Sequence, residues 1–300
     1  AGAFAFNQIV PDYFSRTTED GNYSSRSGCG NDTASERDMV RKYIVESVLY
    51  WAEEYHLDGF RFDLVGLIDV NTINQIVTEV HKINPSIVFY GEGWDMDGTV
   101  MNPREPLAKQ ANAYLTPGFA YFSDTIRDLL RGDNNSATSL GYVSGLTGKE
   151  ENVANAYMAR AGWTSNPTQI INYASCHDNY TVMDKLNEGR ADASFSDRVK
   201  MNNLSAAIYM LAEGVPLIHA GEEMLRTKVD EQGHIIHNSY KSSDYVNSLK
   251  WENLSSADYR DAVEYYAGLV EFRKNHEALR LTTADAVTNN VTYHWVTNEV

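Results

Sequence analysis

Cysteine is scarce: Cys29 and Cys176 are the only two, and neither lies in a C-x-x-C pair or at a zinc-ligand spacing. A disulfide-stapled scaffold and a cysteine-built zinc or redox centre are thereby excluded. A single bridge between the two has no support in the sequence, and the redox compartment stays open. Long apolar runs are missing as well, so no segment is expected to span a bilayer. No secretory signal is visible in the first ten residues, which lack a basic start followed by an apolar core, but that absence means little in a chain that begins with Ala rather than Met. Positive charge is short too: 25 Lys and Arg face 41 Asp and Glu, a net charge of −16. So acidic a surface repels phosphate backbones and makes nucleic acid an unsuitable partner, but it does not repel a neutral polymer.

What is present suits a packed globular chain. Hydrophobic residues make up 43% of the sequence, enough for a sizeable core. Nineteen tyrosines and five tryptophans fit stacking on sugar rings, yet core packing is the commoner use of any one ring. Neither short repeats nor low-complexity stretches occur.

A short apolar run followed by an amphipathic segment recurs along the chain, the sign of βα units and a parallel sheet. Thr33 and Glu36 read as a capping box before a helix that carries Met39, Val40, Tyr43, Ile44 and Leu49 and ends near His56. A strand is expected over 58–64. The next helix has Ile73, Ile76, Val77, Val80 and Ile83 on one face and stops at Pro85, before a strand at 87–90. Further strands are expected at 119–122, 169–174 and 215–220, and further helices at 124–130, 197–213 and 257–275. In the last of these Val263, Ala267 and Val270 face inward. An alternating strand over Val291 to Trp295 stands outside the series. Loops at 95–113 and 224–250 are long and polar, and in a (β/α) barrel the loops at the carboxyl ends of strands build the active site.

Three acids follow buried apolar runs and precede loops: Asp63 in GFRFD, Glu92 in YGEGW and Asp178 in SCHDN. Each has an ordinary explanation. Asp63 can pair with Arg61 on the same strand face, Glu92 can be a turn residue between glycines, and His177-Asp178 can cap the next helix. Three in the same register point instead to chemistry. A retaining glycosidase uses one carboxylate as nucleophile and one carboxylic acid as proton donor, about 5–5.5 Å apart. Neighbouring parallel strands about 4.8 Å apart place side chains at that range. Arg61 beside the nucleophile would keep it ionised and oriented.

These segments resemble the second, third and fourth conserved regions of the α-amylase clan, glycoside hydrolase family 13. The resemblance implies Asp63 as nucleophile, Glu92 as general acid/base, and Asp178 as the third acid that grips the ring hydroxyls. It also implies Arg61 and His177 as partners around the bound glucose. Gly214-Val215-Pro216 with Ala220-Gly221-Glu222 is similar to the clan's last barrel strand. Gly28-Cys29-Gly30-Asn31, Ala34-Ser35-Glu36-Arg37, YGEGWD and Asn238-Ser239-Tyr240 resemble type I pullulanases, which would put Trp94, Asn238 and Tyr240 at the substrate.

The implied fold is α/β: a (β/α)8 TIM barrel of the α-amylase type, of which about strands 4–8 are present, over 1–282. Residues 283–300 would begin a C-terminal β-sandwich domain. The implied function is cleavage of α-1,6 branch linkages in pullulan, amylopectin or glycogen. Alternatives are another clan enzyme that acts on α-1,4 bonds or transfers glucan, and a non-catalytic amylase-like binding module. The clan's first conserved region, with its Asn-His strand end, is not found, so residues 1–300 alone are expected to be weakly active or inactive.

The expected partner is an α-glucan polysaccharide, with no cofactor required. A structural calcium is common in the clan, but no stretch matches a calcium loop and no ligands are assigned. His219, His234 and His237 are not at zinc spacing. The Glu150-Glu151 and Asp230-Glu231 pairs read as solvated loops, and Asn22-Tyr23-Ser24 as a chance glycosylation triplet. Localisation is left undetermined.

Overall fold

A computed structural model describes residues 5–96, 98 and 104–294. The chain divides into two compact units, Ala1–Phe122 and Ser123–Val300. Both have an α/β make-up. No helix among the described residues is long and apolar enough to cross a membrane.

The first unit holds helices α1 (Ala5–Ile9), α2 (Asp38–Tyr55) and α3 (Val70–Ile83) and strands β1 (Gly59–Phe62), β2 (Val88–Gly91) and β3 (Ala120–Phe122). The strands run parallel in the order β1-β2-β3, with Phe62 opposite Gly91 and Gly91 opposite Tyr121. Helix α3 buries Ile73, Ile76 and Val80 along one stripe, the spacing its sequence predicts, and packs on α2.

The expected capping box of α2 does not form. The helix begins at Asp38 with Arg37 as N-cap and no side-chain cap. Glu36 instead makes a buried ion pair with Arg16, Nη2 to Oε2 2.9 Å. Arg16 also donates to the Leu67 carbonyl at 2.6 Å. A capping box is a local contact that a glutamate forms only when no stronger partner is in reach, and here a guanidinium lies alongside.

The second unit holds α4 (Asp124–Arg131), α5 (Glu150–Tyr157), β4 (Ile170–Asn172), α6 (Val182–Gly189), α7 (Phe195–Leu211), β5 (Val215–Pro216), α8 (Asp244–Asn247), α9 (Ala257–Asn275) and α10 (Ala284–Asn290). β4 and β5 pair in parallel, Ile171 opposite Val215. Helices α4, α6, α7 and α9 share a core that includes Leu130, Met183, Leu186, Tyr209 and Tyr266.

Several elements differ from expectation. Glu150 and Glu151 lie in the first turn of α5, where acids complement the positive end of the helix. The expected strand at 215–220 is only two residues long. The buried face of α9 is Ala262, Tyr266, Leu269 and Arg273, one position off the expected stripe of Val263, Ala267 and Val270. Tyr266 and Arg273 carry polar ends that hydrophobicity counting passes over. Arg273 nonetheless donates to the carbonyls of Met210 and Ala212 at 2.9 and 2.8 Å. Residues 284–290 are helical, and 291–294 form no strand. Trp295, the end of the expected strand, lies outside the described residues, as do positions 97 and 99–103 of the 95–113 loop.

Candidate active site

In the first unit the parallel register of β1 and β2 puts Asp63 and Glu92 at the carboxyl ends of adjacent strands, one residue beyond the Phe62–Gly91 pair. One guanidinium joins them. Arg61 Nη1 pairs with Asp63 Oδ1, and its Nη2 lies 3.2 Å from Glu92 Oε1. The Arg61 head is centred 5.9 Å from the Phe122 ring, a cation–π contact. The ordinary explanation of Asp63 as the partner of Arg61 is thus half of a larger arrangement in which both acids meet the same fork.

Glu92 is held from the backbone as well. Its Oε2 accepts the Leu64 N–H at 3.0 Å, its N–H donates to the Phe62 carbonyl at 3.2 Å, and its carbonyl accepts the Gly66 N–H at 3.0 Å. The flanking glycines are there for space, not for a turn. A Cβ at Gly91 would stand 2.5 Å from the Phe62 carbonyl oxygen, and one at Gly93 would stand 2.4 Å from the Tyr121 ring. Gly66 is tighter still, 2.1 Å from the Trp94 carbonyl oxygen. Trp94 is half-buried at this point.

Exposure separates the two acids. The Glu92 side chain is 14% exposed and the Asp63 side chain 79%. Burial as an argument for function therefore applies to Glu92; Asp63 is open to whatever approaches.

In the second unit the Ser175–Asn179 segment leads from β4 to α6. His177 Nε2 and Asp178 Oδ2 are 3.3 Å apart, with side chains 62% and 37% exposed. Asp178 does not cap α6. That duty falls to Thr181, whose hydroxyl accepts the Asp184 N–H at 3.0 Å while Asp184 Oδ2 accepts the Thr181 N–H at 3.0 Å, a complete capping box.

The segment is braced by residues the sequence reading gave no role. Lys228 Nζ donates to the carbonyls of His177 and Asn179 at 2.5 and 2.6 Å. Asn179, at φ +59°, receives Asn134 Nδ2 at 2.9 Å and faces His237 Nε2 at 3.1 Å. Arg131 donates to the Tyr180 carbonyl. Asn179 was within the quoted SCHDN motif; nothing in the sequence ties Asn134, Lys228 or His237 to it. Asn238 and Tyr240 are exposed on the long loop, Tyr240 with Lys241 Nζ 5.2 Å from its ring. Ser239 between them is anchored to Asn247 at 2.8 Å.

The three histidines of interest go separate ways. His219 meets Arg226, Nη1 to Nε2 3.3 Å, His234 meets Asp230 at 3.2 Å, and His237 packs on the Tyr180 ring at 4.5 Å. Burial, with the Arg226 charge beside it, pushes the His219 imidazole down to about 3. Glu222 is a buried acid. Its Oε1 accepts from Tyr209 at 2.7 Å and Tyr266 at 3.0 Å, and burial raises it to about 7 against the pull of those hydroxyls.

Among the described residues, Cys176, His177 and Asp178 bring candidate metal-ligand atoms within 4.8 Å of one another. A calcium ion takes six to eight oxygens, and this trio supplies a single carboxylate. Both cysteines are free thiols.

No family model matches the chain. It is 39% identical over 285 residues to a pullulanase of Bacillus subtilis (strain 168), covering 93% of this chain and 38% of that protein. A pullulanase of Klebsiella pneumoniae is 30% identical over 292 residues, 82% of this chain and 26% of the relative. Among solved structures, Anoxybacillus sp. LM18-11 pullulanase complexed with maltotetraose superimposes with a TM-score of 0.89 at 38% identity, covering 97% of this chain and 41% of that one. Type I pullulanase of Bacillus subtilis str. 168 complexed with maltose gives 0.90 at 37% identity, covering 96% and 40%. The chain thus spans about two fifths of the length of these solved pullulanases, and less of the two curated relatives. Over that span the chain is similar to pullulanases in both sequence and fold.

Proposed function

We propose that the protein carrying this chain is a retaining glycoside hydrolase that cleaves α-1,6 branch linkages in pullulan, amylopectin or glycogen. The observation that carries the reading is the Arg61 fork shared by Asp63 and Glu92 at the ends of neighbouring parallel strands. Two carboxyl groups within the reach of one guanidinium are close enough for the double-displacement reaction. The names of the relatives and the bound maltooligosaccharides in the solved pullulanases support an α-glucan as substrate.

In this reading Asp63, exposed and oriented by Arg61, attacks the anomeric carbon. Glu92 gives its proton to the departing glycosidic oxygen, and a glycosyl ester on Asp63 results. Glu92 then takes a proton from water, which attacks the anomeric carbon, expels the Asp63 carboxylate and restores both groups. Asp178, with His177 beside it, hydrogen-bonds the ring hydroxyls, contacts that tighten as the ring flattens. Trp94, Asn238 and Tyr240 contact neighbouring sugars. The helix–strand alternation supports residues 1–282 as the later part, about strands 4–8, of a (β/α)8 barrel.

The test is product analysis of the full-length protein on pullulan beside its Asp63→Asn variant. Maltotriose from the wild type and none from the variant is expected. Panose-type products would assign α-1,4 cleavage and overturn the debranching reading.

A further inference from the structure

We propose that a cleft in the second unit, between α4, α5 and the turn at 161–164, is a separate, non-catalytic site for a neutral α-glucan chain. The proposal rests on the glucan-directed function above. The cleft encloses about 670 Å³ and is lined by Thr125, Asn152, Asn155, Arg160, Trp163 and Thr164, with other neighbours. That volume is within the range of small-molecule sites, about 300–1,000 Å³. None of these side chains belongs to the acid-bearing segments.

The cleft is built around one aromatic ring on a stiff turn. Trp163 is half-buried, packed on Ala159, Ala161 and Ile170, and also lines the opening. The turn closes by the Ala161 N–H on the Thr164 carbonyl at 3.1 Å, with Gly162 at φ +89°. Thr125 Oγ1 ties the Ala161 carbonyl to α4 at 3.1 Å, and Thr164 Oγ1 donates to Gln169 Oε1 at 3.1 Å. Ala159 stands at φ +58°, a conformation that costs a residue with a Cβ about 1–2 kcal/mol. Its N–H on Ala156 and the Arg160 N–H on Asn155, 3.1 and 2.9 Å, hold it there. Strain kept in place by surrounding bonds is a frequent mark of binding loops. A fixed platform also spares the ligand the entropy of ordering it.

Lining chemistry selects the ligand. The chain carries −16 net charge, yet among the described residues no carboxylate lines this cleft, which argues against a cation or a basic peptide. Arg160, the one charged group among the described lining residues, is turned to Asn155 Oδ1 at 3.3 Å, and a lone guanidinium falls short of the clusters that hold phosphate. An indole beside two amides and two hydroxyls offers an apolar face and planar hydrogen-bonding groups together. Pyranose rings present that same pair of surfaces, C–H groups on one face and hydroxyls round the rim.

The experiment uses full-length protein carrying Asp63→Asn, so that the probe is not consumed, in affinity electrophoresis through gels containing amylopectin. Adding Trp163→Ala should weaken retention about tenfold, the worth of one well-placed aromatic contact. Asn155→Ala, which leaves the ring in place, should weaken it by a smaller factor. With Asp63 intact, both variants should keep wild-type kcat and KM on a short soluble oligosaccharide. Unchanged retention in both variants overturns the proposal, and so does a parallel loss of kcat, which would place Trp163 in the fold alone. Retention reads glucan affinity whatever bond the enzyme cuts, so a wrong linkage assignment would show in the products and not here.

Discussion

Arg61 and Glu92 meet at 3.2 Å across two parallel strands, and the other arm of the same guanidinium holds Asp63. A planar fork can serve two carboxylates at once, whereas an ammonium is a point charge with no fixed geometry. Arg61→Lys therefore keeps the charge but loses the shared alignment. We expect kcat of the full-length protein on pullulan to fall by about 10²-fold or more, on the scale of a small misplacement of reacting groups, with a smaller change in KM. An activity within a factor of two of wild type would remove Arg61 from the mechanism.

Gly66 has no room for a side chain, because a methyl group would stand 2.1 Å from the Trp94 carbonyl oxygen. The Gly66 N–H also supports the Glu92 carbonyl at 3.0 Å. Gly66→Ala must push the Glu92–Trp94 segment away, at about 1–3 kcal/mol as for other overpacked sites. The expected outcome is a lower unfolding midpoint in urea together with a large loss of turnover. Retained turnover would mean that this segment tolerates displacement.

The Arg16–Glu36 pair is buried on both sides, with side chains 1% exposed. Removing one partner strands the other charge, at a cost of about 3–5 kcal/mol. Glu36→Ala should show this in the denaturation midpoint, and Arg16→Met combined with Glu36→Leu should recover much of it. A double variant no better than Glu36→Ala would indicate that Arg16 acts chiefly through the Leu67 carbonyl.

Glu222 and His219 pull stability in opposite directions with pH. Burial raises Glu222 to about 7 from an ordinary 4.5. Between those values the folded protein holds a proton that the unfolded chain has released, so stability falls as pH rises. His219 is pushed down to about 3 from 6.5. There the unfolded chain holds the extra proton, and stability rises with pH. From pH 4.5 to 6.5 the two slopes cancel. The stability of the wild type relative to Glu222→Gln should thus decline across pH 4.5 to 7, by about 1.4 kcal/mol per unit at most. Urea melts at several pH values would measure it, and a flat difference would refute the assignment.

Much of this was legible in the sequence because it depends on neighbours along the chain. The stripe of Ile73, Ile76 and Val80 and the runs before Asp63 and Glu92 are periodicities of the backbone, and they set the βα series and the strand-end positions of these two acids, whereas Asp178 lies six residues beyond the end of β4, in the loop before α6. The resemblance supplied the roles. What the sequence left open were choices among partners. Asp178 was free to cap α6 until Thr181 and Asp184 were seen to do it; Glu36 had the spacing of a capping residue and went to Arg16. The face of α9 shifted by one residue because Tyr266 could bring its hydroxyl to Glu222 at 3.0 Å. One carboxylate can satisfy several donors equally well on chemical grounds. Only the folded chain, by bringing distant segments to within hydrogen-bonding distance, decides which donor it meets.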